Sequence, residues 1–226
     1  MHREAVGPEL LGLLVELMNW PDLAAFSLVG GTSLALRSGY RDSEDIDLFT
    51  MHPFDPSVLK ERLKCVFPDC EVTSVSRGTI IAFSHGVKID FMQHLYKTLA
   101  PDDSIENIRM ASLRDLSAMK VNALSQRGSK KDFSDLLFLQ ESGLPLMEAL
   151  ENYLGKYSPD SLLPALQSLT YFGDTVDEPD PKYRNGWVWD QVKRRMEILG
   201  KDVQREYNER GKREARSGLS PESDGR

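Results

Sequence analysis

Leu28-Val29-Gly30-Gly31-Thr32-Ser33-Leu34-Ala35-Leu36 is followed, after Arg37 and Ser38, by Gly39-Tyr40-Arg41-Asp42-Ser43-Glu44-Asp45-Ile46-Asp47-Leu48-Phe49. The apolar run Phe26 to Val29 predicts a short buried strand that enters a glycine turn directly. A short helix over 34–38 follows, and Ile46 to Phe49 predicts a second strand. A glycine turn between strand and helix lets backbone N–H groups approach a phosphate, and the helix start adds a favourable dipole. Thr32 and Ser33 add hydroxyl donors. The turn is not a P-loop, because no lysine follows at the required spacing. Its plain structural alternative is a Gly-rich turn with Ser/Thr caps.

Residues two apart on a strand face the same way, so Asp45 and Asp47 share a side. Two such carboxylates repel unless water or a cation intervenes. A pair of hard oxygen donors is what Mg²⁺ requires; two solvated acids at a strand end is the alternative. In Val87-Lys88-Ile89-Asp90-Phe91-Met92, the odd positions form an apolar face and Lys88, Asp90 and Met92 the other. If this strand neighbours the first, Asp45, Asp47 and Asp90 together can hold two Mg²⁺ ions, one at an acceptor hydroxyl and one at a triphosphate.

Outward from these strands, Pro8 to Trp20 predicts a helix with Leu10, Leu13, Leu14 and Leu17 on one face. Asp55-Pro56 caps and opens another. Val72 to Ser76, Thr79 to Ser84 and Val87 to Met92 predict a meander with turns at Arg77-Gly78 and His85-Gly86. The order suggests a mixed sheet with helices on one face. After about residue 105 strand signals stop. Ser112-Leu113-Arg114-Asp115 is a capping box opening a helix to about Gln126. Further helices are expected over 130–141 and 144–155, from Ser158-Pro159 and from Trp187 to about Arg210, with a loop over 171–186. Trp187 and Trp189 are expected to pack the last helix onto the body. The plan is an α/β domain over 1–100, a helical domain over 101–210 and a polar, disordered tail over 211–226.

Lys120 lies on the 112–126 helix, one face with Arg127, and is followed by Lys130, Lys131, Asp132 and Asp135. A lysine reaching a triphosphate would balance charge in a cleft; a salt-bridged surface helix is the alternative. Asp115 is expected to cap rather than react.

Composition sets bounds. With 226 residues, 40% hydrophobic and 28% charged, the chain suits one good core or two small domains. No apolar run approaches the ~20 residues of a membrane span. Met1-His2-Arg3-Glu4 carries an acid and no small-residue cleavage site, so a signal peptide is not expected. Cys65 and Cys70 make neither a disulfide framework nor a zinc pair, which suits a reducing cytoplasm. His52, His85 and His94 show no ligand spacing. The net charge of −7 argues against a surface that grips nucleic acid throughout. Only 182–226 is net positive, with 12 basic and 8 acidic residues.

Taken in order, the glycine turn, the aspartate pair, Asp90 and the Lys120 helix resemble the nucleotidyltransferase toxins of type IV toxin–antitoxin and abortive-infection systems, the AbiEii/AbiGii family. The resemblance spans roughly 26–140. Tyr40 departs from it, standing where a histidine often precedes the arginine. The family implies an α+β, polymerase-β-like nucleotidyltransferase mixed sheet with flanking helices, followed by a C-terminal helical domain. It implies that Asp45, Asp47 and Asp90 bind Mg²⁺ and that Asp90 helps deprotonate an acceptor hydroxyl. Gly30, Gly31, Thr32 and Ser33 would cradle the β- and γ-phosphates, and Lys120 would contact the triphosphate. Lys131 and Asp132 would orient that lysine or the nucleotide. The implied reaction is NMP transfer from an NTP with release of pyrophosphate, to tRNA, another RNA or a protein hydroxyl, in a protein paired with an antitoxin. A small-molecule acceptor and a non-catalytic nucleotide-binding module are the competing readings.

Overall fold

A computed structural model describes residues 1–217 of the chain. The first helix, α1 (Pro8–Asn19), starts at a proline behind Gly7 and buries Leu10, Leu13, Leu14 and Leu17, as the leucine spacing requires. Strand β1 (Ser27–Leu28) enters α2 (Gly30–Ser38), which begins on the first glycine rather than after the turn. Strand β2 (Asp45–Thr50) is followed by α3 (Pro56–Val66), whose Asp55 cap accepts from the backbone N–H groups of Ser57 and Val58. Strands β3 (Glu71–Ser76), β4 (Thr79–Ser84) and β5 (Val87–Gln93) form the expected meander.

The sheet does not end there. Strands β6 (Asp103–Ile105) and β7 (Ile108–Met110) make a hairpin through Glu106 and Asn107, both at positive φ as a tight primed turn demands. The single sheet runs β3-β4-β5-β2-β1-β7-β6, with β2/β5 and β1/β7 parallel and the other pairs antiparallel. The strand signals therefore continue past 105, and the α/β layer runs to about residue 110.

The helical part comprises α4 (Leu113–Gln126), α5 (Lys130–Glu141), α6 (Leu146–Tyr157), α7 (Leu163–Ser168) and α8 (Trp189–Ser217). Ser112 and Ser129 cap α4 and α5. Ser158 does not open a helix. It closes α6 as a left-handed cap, its N–H bonded to the Leu154 carbonyl, and Pro159 behind it has no N–H to continue the helix. Helix α8 passes the expected end at Arg210 and is helical through Ser217; the rest of the expected tail lies outside the described residues.

Helices cover both faces of the sheet, not one. Leu28, Ile46, Leu48, Ile89 and Phe91 pack with the leucines of α1 and α3. On the other face, Val29, Leu34, Tyr40 and Ala111 join the core of α4 to α8, with Phe49 packed against it. Trp189 is buried beside Phe133 and Phe172, and Trp187 lies against Tyr40 and Tyr183, so both tryptophans anchor the last helix. The 171–186 segment returns to the first half. The backbone N–H of Asp42 donates to the Lys182 carbonyl and that of Arg184 to the Tyr40 carbonyl. Among the described residues, no helix is long and apolar enough to cross a membrane.

Candidate active site

The parallel register of β2 and β5 sets Asp47 directly opposite Asp90, and Asp45 opposite Lys88. Alternation keeps Ile46, Leu48, Ile89 and Phe91 in the core and turns the three carboxylates to the other face. Burial raises the pKa of Asp47 to about 6; the Asp90 charge adds to this, and Lys120 opposes it. Asp90 lies 2.6 Å from Lys88 Nζ through Oδ2, while its Oδ1 is buried with no hydrogen-bond partner. Burial works against the Lys88 charge, yet its hydrogen bond to Asp90 and the surrounding acids raise its pKa.

Among the described residues, no three His, Cys, Asp or Glu side chains are grouped as ready-made metal ligands. Lys88 occupies the place beside Asp90 instead. The donor chemistry nevertheless fits a divalent cation. Three hard-oxygen groups share one face, one buried carboxylate oxygen is unpartnered, and burial together with the Asp90 charge makes Asp47 hold its proton more tightly.

The two glycines matter for what they let approach. Gly30 sits at φ +69°, and a Cβ there would overlap Oδ2 of Asp47. A Cβ on Gly31 would overlap Nη2 of Arg41. The start of α2 is thereby pressed against the acids and has no side-chain cap. The Thr32 hydroxyl is committed to the framework: it donates to the Asp45 carbonyl and lies 2.8 Å from the Ser43 hydroxyl. Ser33 Oγ is buried without a partner.

Lys120 is buried and held between two acids of α5, 3.0 Å from Asp132 and 2.5 Å from Asp135. Burial disfavours its charge, but Asp135 and Asp132 outweigh that and raise its pKa. Asp135 also receives Arg41, 2.8 Å away, and the Tyr40 hydroxyl. Burial opposes ionisation of Asp132, yet Lys120 and Arg127 bring its pKa down to about 2. Ser129 donates to the same carboxylate, and Arg127 lies 3.3 Å from it. Lys131 stands apart on the exposed side of α5, its charge felt by Glu44. The neighbouring Lys130 takes the buried position, 2.7 Å from Asp180. The backbone N–H of Asp115 donates to the Ser112 cap, and its carboxylate accepts from the Ser112 hydroxyl, the Leu99 and Ala100 N–H groups and Lys156.

The structure thus brings Asp45, Asp47, Asp90, Gly30, Gly31, Lys120 and Asp132 into one region. It adds Arg41 and Lys88, to which the reading of the sequence gave no role, and it gives partners to Arg127 and Asp135, which that reading named beside Lys120 without a role. The spacing of Asp132 and Asp135, three apart on one helix face, was the available signal for Asp135.

The family described as nucleotidyl transferase AbiEii toxin of type IV toxin–antitoxin systems matches residues 12–202. The uncharacterised protein aq_aa25 of Aquifex aeolicus (strain VF5) is 34% identical over 158 residues, covering 68% of this chain and 76% of that one. Two Helicobacter pylori crystal structures share the fold. One, assigned as a nucleotidyltransferase, aligns with TM-score 0.52 and 17% identity over 90% of this chain and 98% of its own. The other, JHP933, aligns with TM-score 0.51 and 16% identity over 94% and 99%.

Proposed function

The chain belongs to the AbiEii nucleotidyltransferase toxin family of type IV toxin–antitoxin systems, and from that premise we propose that it transfers an NMP from an NTP to a hydroxyl of tRNA or another RNA. The observation that carries this reading is the β2/β5 register, which sets Asp47 beside Asp90 next to the first turn of α2. The acceptor hydroxyl oxygen bonds to the α-phosphorus, and the bridging bond to the β-phosphate breaks. Pyrophosphate leaves with that electron pair. The hydroxyl proton passes to Asp90, whose Oδ1 has no partner to give up. Asp45, Asp47 and Asp90 would hold Mg²⁺, as two ions, which when bound neutralises charge on the phosphates and acidifies the acceptor hydroxyl. Lys88 must then release Asp90, a rotation of one flexible side chain.

Backbone N–H groups at Gly30 and Gly31 face the β- and γ-phosphates in this reading, and Thr32 acts by fixing the strand that carries Asp45. Lys120, fixed by Asp132 and Asp135, keeps a positive charge beside Asp47 and the phosphates. Exposed Lys131 would meet the nucleotide only at its outer edge. An antitoxin is the expected protein partner, and the NTP requirement fits a cytoplasmic setting.

The test uses α-³²P-labelled NTPs, total tRNA and Mg²⁺. Wild type is expected to label RNA, and Asp47→Asn to abolish labelling. In chelator, Asp47→Asn is expected to melt higher than wild type, since it removes a carboxylate whose charge is disfavoured. Mg²⁺ should raise the melting temperature of wild type only. Equal labelling by both proteins refutes the assignment. The acidic pI of 5.2 favours a second reading, a small-molecule acceptor; pyrophosphate release without labelled RNA would select it.

A further inference from the structure

A cavity of about 160 Å³ opens on the acid-bearing face of the sheet, beyond Asp47. Its walls include Val29, Phe49, His94, Tyr96 and Met119. Phe49 is the next residue after Asp47 on that face, one two-residue step of roughly 7 Å along β2. Val29 is tied to Asp47 through its backbone N–H, 2.9 Å from the Asp47 carbonyl. The cavity therefore adjoins the site and is no part of the phosphate cradle.

One wall is aromatic, and the mutually paired Asp115 and Lys156 also reach the lining. The His94 ring lies 5.5 Å from Phe49 and 5.0 Å from Tyr96, centroid to centroid, and Tyr157 backs Tyr96 at 4.5 Å. The mouth exposes Met51 and Tyr96, 43% and 45% accessible, beside Leu95 at 75%. Apolar groups this exposed, rimmed by Thr98 and Asp102, mark a surface that takes a ligand. A cavity of about 150 Å³ accepts one benzene ring, so this one has the size for a flat base.

Its place relative to the glycines decides which base. Strand β1 runs antiparallel to β2, with Ser27 opposite Phe49 and Leu28 opposite Leu48. Gly30 and Gly31 consequently lie toward the Asp45 end, and the cavity lies toward the Phe49 end. Attacking and leaving oxygens sit roughly in line across a transferred phosphorus. With pyrophosphate leaving on the glycine side, the attacking hydroxyl comes from the Phe49 side.

We propose that the Phe49–His94–Tyr96 cavity seats the unpaired terminal base of a single-stranded RNA acceptor and so presents its hydroxyl to Asp90. This deepens the reading given above and rests on it. Burial pushes His94 down to about 4, with Lys156 acting in the same sense, so the ring is neutral at pH 7 and stacks without carrying a charge into the cavity. Stacking on aromatic rings is sequence-tolerant, which suits an acceptor recognised by its free end rather than by its sequence.

The probe is a 5′-fluorescein single-stranded RNA hexamer with a free 3′ end, and its twin lacking only the last base. Binding is followed by anisotropy without NTP, so that turnover plays no part. Wild type is expected to hold the intact hexamer more tightly than the twin by roughly 5- to 150-fold. Tyr96→Ala should lose most of that preference by weakening the intact hexamer alone, and Tyr96→Phe should restore it. Equal binding of hexamer and twin by wild type overturns the proposal, with no variant needed. So does a Tyr96→Ala loss that is the same for both oligomers, and so does a failure of wild type to bind either. In the transfer assay, Tyr96→Ala should raise KM for the RNA and leave KM for the NTP unchanged; the reverse would assign the cavity to the incoming nucleoside and overturn the proposal. A base preference without any NMP transfer would instead refute the transfer reading and leave the base site standing. Transfer without a base preference would refute only the base site.

Discussion

Asp135 has no exposed surface, and its carboxylate faces Arg41, Lys120 and the Tyr40 hydroxyl. Removing one member of a buried ion group costs more than the group contributes, because the partners keep their charge and lose their compensation. Here Arg41 would lose its counter-ion outright, and Lys120 would keep only Asp132. Asp135→Asn is therefore expected to lower unfolding free energy by about 3–5 kcal/mol, read from urea denaturation. A loss below about 1 kcal/mol, the size of an exposed pair, would mean that solvent reaches this network. Little of this could be read from the chain. Asp45, Asp47 and Asp90 were legible because a period of two on apolar strands leaves few places for an acid. The Arg41–Asp135 pair joins positions 94 residues apart, and no local pattern encodes it. Lys130 and Lys131 differ by one residue, a turn of about 100° on a helix. That phase puts Lys130 inside and Lys131 outside.

At the level of elements, the meander was legible because β4 and β5 carry six and seven residues of alternation, while β3, almost wholly exposed, is marked by its β-rich residues and the turn at Arg77-Gly78. Strands β6 and β7 have three each, too few to show a period. They are specified by their partners, β7 lying beside β1 and β6 beside β7. The segment just after β5 is where a titration should show. His94 there is packed among Phe49, Tyr96 and Tyr157, with Asp115 and Lys156 as the charged groups that face it. Its pKa falls from 6.5 to about 4 on folding, chiefly through burial. The unfolded chain thus binds the extra proton first. This contribution is complete above pH 6.5 and is lost as pH falls toward 4. Asp47, raised to about 6, acts in the opposite sense over the same range, so the wild-type profile alone does not isolate the histidine. His94→Gln removes one titration only. The drop in melting temperature between pH 7 and pH 5 should be smaller in this variant than in wild type. Parallel profiles would show that the ring is not kept neutral by its neighbours.

Across the whole molecule, the sheet is a partition between two cores, and the site lies on the side that the later helices close. The change of composition near residue 100 is bridged by packing from both sides. Residues 1–111 contain every strand among the described residues, yet Val29, Leu34, Tyr40 and Ala111 find their apolar partners on α4 to α8. Arg41 finds its counter-ion on α5. The loop that leads into β2 and its acids is further held from 182–184, through two backbone hydrogen bonds and the pairs Arg184–Asp42 and Lys182–Glu44. A fragment of residues 1–111 would expose one full face of its sheet and leave a buried guanidinium unpaired, a combination that a core of this size does not offset. We predict that this fragment gives no cooperative urea transition by circular dichroism, whereas the full chain unfolds in a single one. A sharp transition of the fragment alone would show that the α/β layer is an independent domain, and that the helices bind to a face which is stable without them.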